Sequence, residues 1–159
     1  MIAFYYLLWV GEYTIKSLQN NTKQTIQFMY KDVLFFKKNN PGQLRCLPQD
    51  APTSLIATAN GATLKLDNQK NGWTGICVYR ESNGDNWHCP VRALTCCYLH
   101  LCDMGANSKT FLSAHYDDKG QCSDITNEDV SKALKAASTV LDYPTAKGIP
   151  VDHIDTHSL

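Results

Sequence analysis

Residues 62–79 read Ala62-Thr63-Leu64-Lys65-Leu66-Asp67-Asn68-Gln69-Lys70-Asn71-Gly72-Trp73-Thr74-Gly75-Ile76-Cys77-Val78-Tyr79. Two alternating stretches, Thr63–Leu66 and Trp73–Tyr79, flank a polar run ending in Asn71-Gly72. Alternation with period two is the pattern of a strand with one buried face. The Asn-Gly pair supplies the positive φ values that a tight hairpin turn requires. The stretch therefore predicts a β-hairpin with Lys70 near its tip.

Upstream, Val33-Leu34-Phe35-Phe36 and Thr25-Ile26-Gln27-Phe28 are rich in β-branched and aromatic residues and read as short strands. Tyr30-Lys31-Asp32 interrupts them, and Asn39-Asn40-Pro41-Gly42 has strong turn chemistry. Residues 3–13 read as a buried helix. Downstream, Cys89-Pro90 opens a helix to about Cys102, with proline suited to the first turn. Val91, Leu94, Tyr98 and Leu101 share one face of it, and Gly105 ends it. Phe111-Leu112-Ser113 reads as a short extended piece and Asp117-Asp118-Lys119-Gly120 as a turn. Thr126 and Asp129 form an approximate capping box for a helix through Val130, Leu134, Ala137 and Leu141. Pro144 and Gly148-Ile149-Pro150 mark the loop after it. The expected class is α+β: helices with a small antiparallel sheet, in one domain over residues 1–159.

The 159 residues carry 15 Lys and Arg against 15 Asp and Glu, a formal net charge of zero. That balance does not point to a nucleic-acid partner, which usually draws a basic surface. Lys16, Lys23, Lys31, Lys37, Lys38, Arg45, Lys65, Arg80 and Arg92 are scattered along the chain, and solvated charge is their default reading. Seven cysteines form no regular framework, so reduced thiols in a nuclear or cytoplasmic protein are expected. The apolar start, Met1 to Val10, is shorter than the ~20 residues of a membrane-spanning helix. It also lacks the positive flank of a signal peptide. His88, Cys89, Cys96, Cys97, His100 and Cys102 lack the paired spacing of a structural zinc site, and no metal is expected.

Three segments, taken in order, resemble the catalytic domain of tyrosine recombinases of the phage-integrase type, especially divergent mobile-element relatives. Leu7-Leu8-Trp9-Val10-Gly11-Glu12 is similar to the segment carrying the family's first active-site arginine. Glu12 matches, but Trp9 stands at the arginine position. Gln69-Lys70-Asn71-Gly72 is similar to the hairpin tip where the family places a catalytic lysine. Asp155-Thr156-His157-Ser158-Leu159 resembles the start of a His-x-x-Arg motif, with His157 in place. Cys89-Pro90-Val91-Arg92-Ala93-Leu94 is similar to the helix start that follows the hairpin.

The resemblance implies a tyrosine hydroxyl attacking a DNA phosphodiester, with a phosphotyrosyl intermediate and no metal, ATP or other cofactor. The barrier there is electrostatic, because negative charge accumulates on the phosphorane and fixed cations must meet it. Lys70 would protonate the leaving oxygen and His157 would act as acid or base. Double-stranded DNA is the implied partner, with binding weak or lost in this partial domain, and intact relatives would assemble as synaptic homo-tetramers. The second arginine and the tyrosine nucleophile would lie beyond Leu159, so the expected unit is a partial domain that does not cleave DNA alone. Two other readings stay open: a non-catalytic DNA-binding or interaction module, and a mobile-element remnant without function. Lys70 as a solvated turn residue, and His157 as a polar loop residue, remain alternatives for the two candidate site residues.

Overall fold

A computed structural model describes residue 6 and residues 27–39, 42–67 and 74–154. The elements in chain order are β1 (Val33–Lys38), β2 (Leu44–Cys46), the one-turn helix α1 (Thr53–Ile56), β3 (Gly61–Asp67) and β4 (Thr74–Glu81). Then follow α2 (Pro90–Asp103), β5 (Ala114–Tyr116), β6 (Cys122–Asp124), α3 (Asn127–Val140) and α4 (Tyr143–Lys147). The α+β class read from the sequence is the class observed.

The alternating stretches at 62–79 do pair. β3 and β4 run antiparallel from Gly61↔Glu81 to Asp67↔Thr74, and the register shifts between Leu66 and Asp67. Gly75 is the extra residue on β4, and its φ of +72° is the left-handed conformation that a bulge of this kind needs. β1 pairs with β3 on one side and β2 on the other, giving the antiparallel order β2-β1-β3-β4. The Asn39–Gly42 turn closes the β1–β2 hairpin: the Asn39 amide donates to the Gln43 carbonyl at 2.9 Å, and Gly42 sits at φ +96°.

One face of this sheet is covered by α2. Val91, Leu94, Tyr98 and Leu101 are each 0–2% exposed, as their spacing predicts. Val91, Leu94 and Tyr98 pack with Val33, Phe35, Ala62, Leu64 and Leu66 of the sheet in one core. Burying an aliphatic or aromatic side chain of this size stabilises by about 1.5–3 kcal/mol. Tyr98 is the hub. It stacks on Tyr30 at 4.0 Å, meets Phe35 edge-on at 5.1 Å, and its hydroxyl donates to the Gln49 carbonyl at 3.3 Å. α2 ends where Gly105, at φ +76°, lets the Gly105 and Ala106 amides reach back to the Cys102 and Leu101 carbonyls.

Several local expectations need correction. Gln27 and Phe28 lie in no strand; Phe28 is a buried anchor and Met29 makes an isolated bridge to Phe111. Phe111-Leu112-Ser113 is not the extended piece either. Thr110 and Leu112 spend their backbone groups on Tyr30 and Phe28 at 2.8 Å each, and the strand begins only at Ala114. Pro144 does not mark a loop: it lies in α4, whose first turn tolerates a residue without an N–H. Tyr6 is helical and 2% exposed; the rest of the helix expected at residues 3–13 lies outside the described residues.

The Asp117–Gly120 turn and the Thr126 cap form as expected. The Thr126 hydroxyl accepts from the Asp129 amide at 3.2 Å, and the Asp129 carboxylate accepts from the Thr126 amide at 2.9 Å. α3 buries only Ser138, while Val140 at its end and Leu141 at its C-cap are 85% and 72% exposed. Among the described residues no helix is long and apolar enough to cross a membrane. None of the seven cysteines is in a disulfide.

Candidate functional site

Lys70 and His157, the two candidate catalytic residues, lie outside the described residues, as does Trp9. The described part is the frame around Lys70: the stems of the β3–β4 hairpin, the loop after β4, and the N-terminus of α2. Asp67 and Thr74 are the last register partners before the tip.

The loop Ser82–His88 is built by its own side chains. Asp85 Oδ1 accepts from the Trp87 and His88 amides at 2.6 and 2.7 Å, and Asn83 Oδ1 accepts from the Asp85 amide at 3.0 Å. Asn83 Nδ2 closes the loop by donating to the His88 carbonyl at 3.1 Å. The His88 and Trp87 amides hold the Asp85 carboxyl below the usual carboxylate range. This tight turn leaves the Trp87 ring 78% exposed.

Cys89 caps α2. Its sulfur accepts from the Arg92 amide and shares a 3.3 Å hydrogen bond with the Ser82 hydroxyl. Burial opposes charge on the thiol. The Ser82 hydroxyl and the amides of Arg92, Asn83 and Val91 outweigh it and hold Cys89 below its ordinary value. An open depression of about 470 Å³ beside it is lined by Asn86, Trp87, Cys89, Arg92, Ala93 and Cys96. Cys89 is 2% exposed, so the polarised sulfur serves the cap and is not presented to solvent. Cys97, about two turns on, is pushed up to about 11 by burial and by the neighbouring Cys96.

A second polar group sits on β5–β6. Ser123 and His115 are cross-strand partners, with Ser123 Oγ 3.2 Å from His115 Nδ1. Both are exposed. Asp124 beside them has a buried, unpartnered Oδ1, and burial raises its carboxyl while His115 works in the opposite direction. Among the described residues no three His, Cys, Asp or Glu side chains are grouped to hold a metal ion. His88, Cys89, Cys96, Cys97, His100 and Cys102 spread along a loop and the full length of one helix.

Register decides which of the scattered cations meet. Lys38 pairs with Glu81 across the sheet. Lys37 and Arg45, eight residues apart in sequence, are direct partners on β1 and β2. Arg92 reaches Asn86 Oδ1 at 3.4 Å, and the Arg80 guanidinium lies 5.9 Å from the Tyr6 ring centre. Sequence spacing alone could not have found the Lys37–Arg45 pair, because it exists only in this strand register. No protein-family model, curated protein or solved structure matches the chain.

Proposed function

We propose that the chain is part of a tyrosine-recombinase-type catalytic domain, with Lys70 and His157 as its catalytic side chains and duplex DNA as its partner. The observation that carries this reading is the β3–β4 hairpin, which brackets residues 68–73 and leads through one loop into α2 at Pro90. That is the order of elements the resemblance requires. A lysine at a hairpin tip is held on two paired strands, and a stiff support is what a proton donor to a leaving oxygen needs. With tryptophan at position 9, the first of the family's phosphate-clamping arginines is replaced by an uncharged ring. The polypeptide on its own therefore does not cut DNA, and any binding that remains is weak. In intact relatives of such a domain, synapsis would require a homo-tetramer.

The test is lysine footprinting by acetylation with and without duplex DNA, run beside a denaturing gel for covalent protein–DNA product. Protection of Lys70 with no covalent product is the expected result. A Lys70 acetylated equally with and without bound DNA would sink the reading.

A further inference from the structure

The β1–β2 hairpin carries an unbalanced charge. From Val33 to Gln49 the chain holds Lys37, Lys38 and Arg45 and no Asp or Glu. Lys38 is neutralised by Glu81, but Lys37 and Arg45 are not paired with a carboxylate among the described residues. Lys37 donates its ammonium to the Thr58 carbonyl, which fixes its position without cancelling its charge. Arg45 is exposed, on a strand that is exposed throughout. As direct cross-strand partners, the two side chains leave the sheet on the same face about 5 Å apart at Cβ. Like charges in that relation repel, and an anion between them turns the repulsion into two attractions.

We propose that Lys37 and Arg45 form a docking surface for backbone phosphates of duplex DNA. This rests on the DNA-binding part of the function proposed above, but on residues and elements remote in sequence from Lys70. A polyanion suits the pair better than a lone anion. DNA presents a phosphate every ~3.4 Å of axis along each strand, so two neighbouring cations can be met at once. The fork of arginine and the compact ammonium of lysine both serve phosphate oxygens. With a net charge of zero over the chain there is no broad attractive field, so binding must come from local contacts of this kind.

The test is fluorescence anisotropy of the 159-residue chain with a labelled 20-base-pair duplex between about 50 and 200 mM salt. Lys37→Gln/Arg45→Gln should weaken binding about tenfold at the low-salt end and lower the salt slope by about 1.8, for two lost phosphate contacts. The charge-keeping Lys37→Arg/Arg45→Lys should retain the slope. Thermal unfolding at low salt controls for folding: the neutral double variant should melt close to the parent, because the repulsion removed offsets the lost Lys37–Thr58 hydrogen bond. Unchanged binding by that variant would overturn this surface while leaving the recombinase reading standing. A parent chain that binds no duplex overturns both. Binding to an acidic polypeptide but not to DNA would also overturn the proposal. A Lys70 that is unprotected, with Lys37 and Arg45 still required, would keep this surface and remove the catalytic reading.

Discussion

The Tyr79 ring lies over Gly61 on the neighbouring strand, so close that a Cβ at position 61 would stand 2.6 Å from Tyr79 Cε2 and 2.8 Å from Cζ. The same ring meets Phe36 edge-on at 5.6 Å. Gly61 has no unusual φ, so the requirement for glycine there is one of space. Gly61→Ala is expected to cost about 1–3 kcal/mol, the usual cost of overpacking. Urea unfolding measures it, and a loss below about 0.5 kcal/mol would show that the ring swings away freely. Tyr79 Oη is buried without a hydrogen-bond partner among the described residues, so Tyr79→Phe should be neutral or stabilising.

Thr126→Ala removes the hydroxyl that caps α3 and should cost about 1 kcal/mol. Its partner Asp129 adds a pH dependence. The Thr126 hydroxyl and amide hold the Asp129 carboxyl below its ordinary value. The stabilisation is thus present above the unfolded-state carboxylate range and lost as pH falls through the lower folded value. Melting curves of parent and Asp129→Asn between pH 7 and pH 2 should converge at the acid end; parallel curves would refute the linkage.

Asp124 carries the opposite sign. Burial raises its carboxyl, so the folded state binds the proton more tightly than the unfolded chain. The penalty is absent below the ordinary aspartate value of about 3.9 and grows as pH rises through the folded value. Asp124→Asn should therefore raise the melting temperature at neutral pH and lose that advantage in acid. A destabilised variant at pH 7 would mean that the carboxylate has a favourable partner.

Among the thiols, Cys46, Cys77, Cys96 and Cys122 are exposed, while burial raises Cys97 to about 11. Iodoacetamide at pH 8 should label those four first and the half-buried Cys97 more slowly. Mass spectrometry showing Cys97 modified as fast as Cys96 would contradict its burial.

The elements legible from sequence are those whose determinants are local or periodic. Val91, Leu94, Tyr98 and Leu101 marked one face of α2, Thr126 and Asp129 marked the start of α3, and Asn39–Gly42 marked a turn. β2 and α1 went unread because Leu44–Cys46 is exposed at every position and Thr53–Ile56 is a single turn. Pairing with β1 creates the first, and packing against α2 helps hold the second. Phe28 misled in the other direction: its apolar neighbours suggested a strand, yet it serves as a plug whose carbonyl is taken by Leu112. Of the candidate site, the hairpin frame was legible. Lys70 and His157 fall outside the described residues, and the nearness of Lys37 to Arg45 depends on a pairing that no sequence window contains.

The strand order β2-β1-β3-β4 also sets a folding sequence. Each outer strand is joined to its inner neighbour by a short connection, so both hairpins can close within microseconds. The seam between β1 and β3 is different: Phe36↔Gly61 and Val33↔Leu64 close over the whole of β2 and α1. That closure must be made before core contacts reward it, which makes the seam the slow step. Val33→Ala at the seam should slow refolding in stopped-flow measurements, whereas Thr126→Ala should act mainly on unfolding. The four-stranded sheet is, kinetically, two ready-made hairpins waiting to be zipped together.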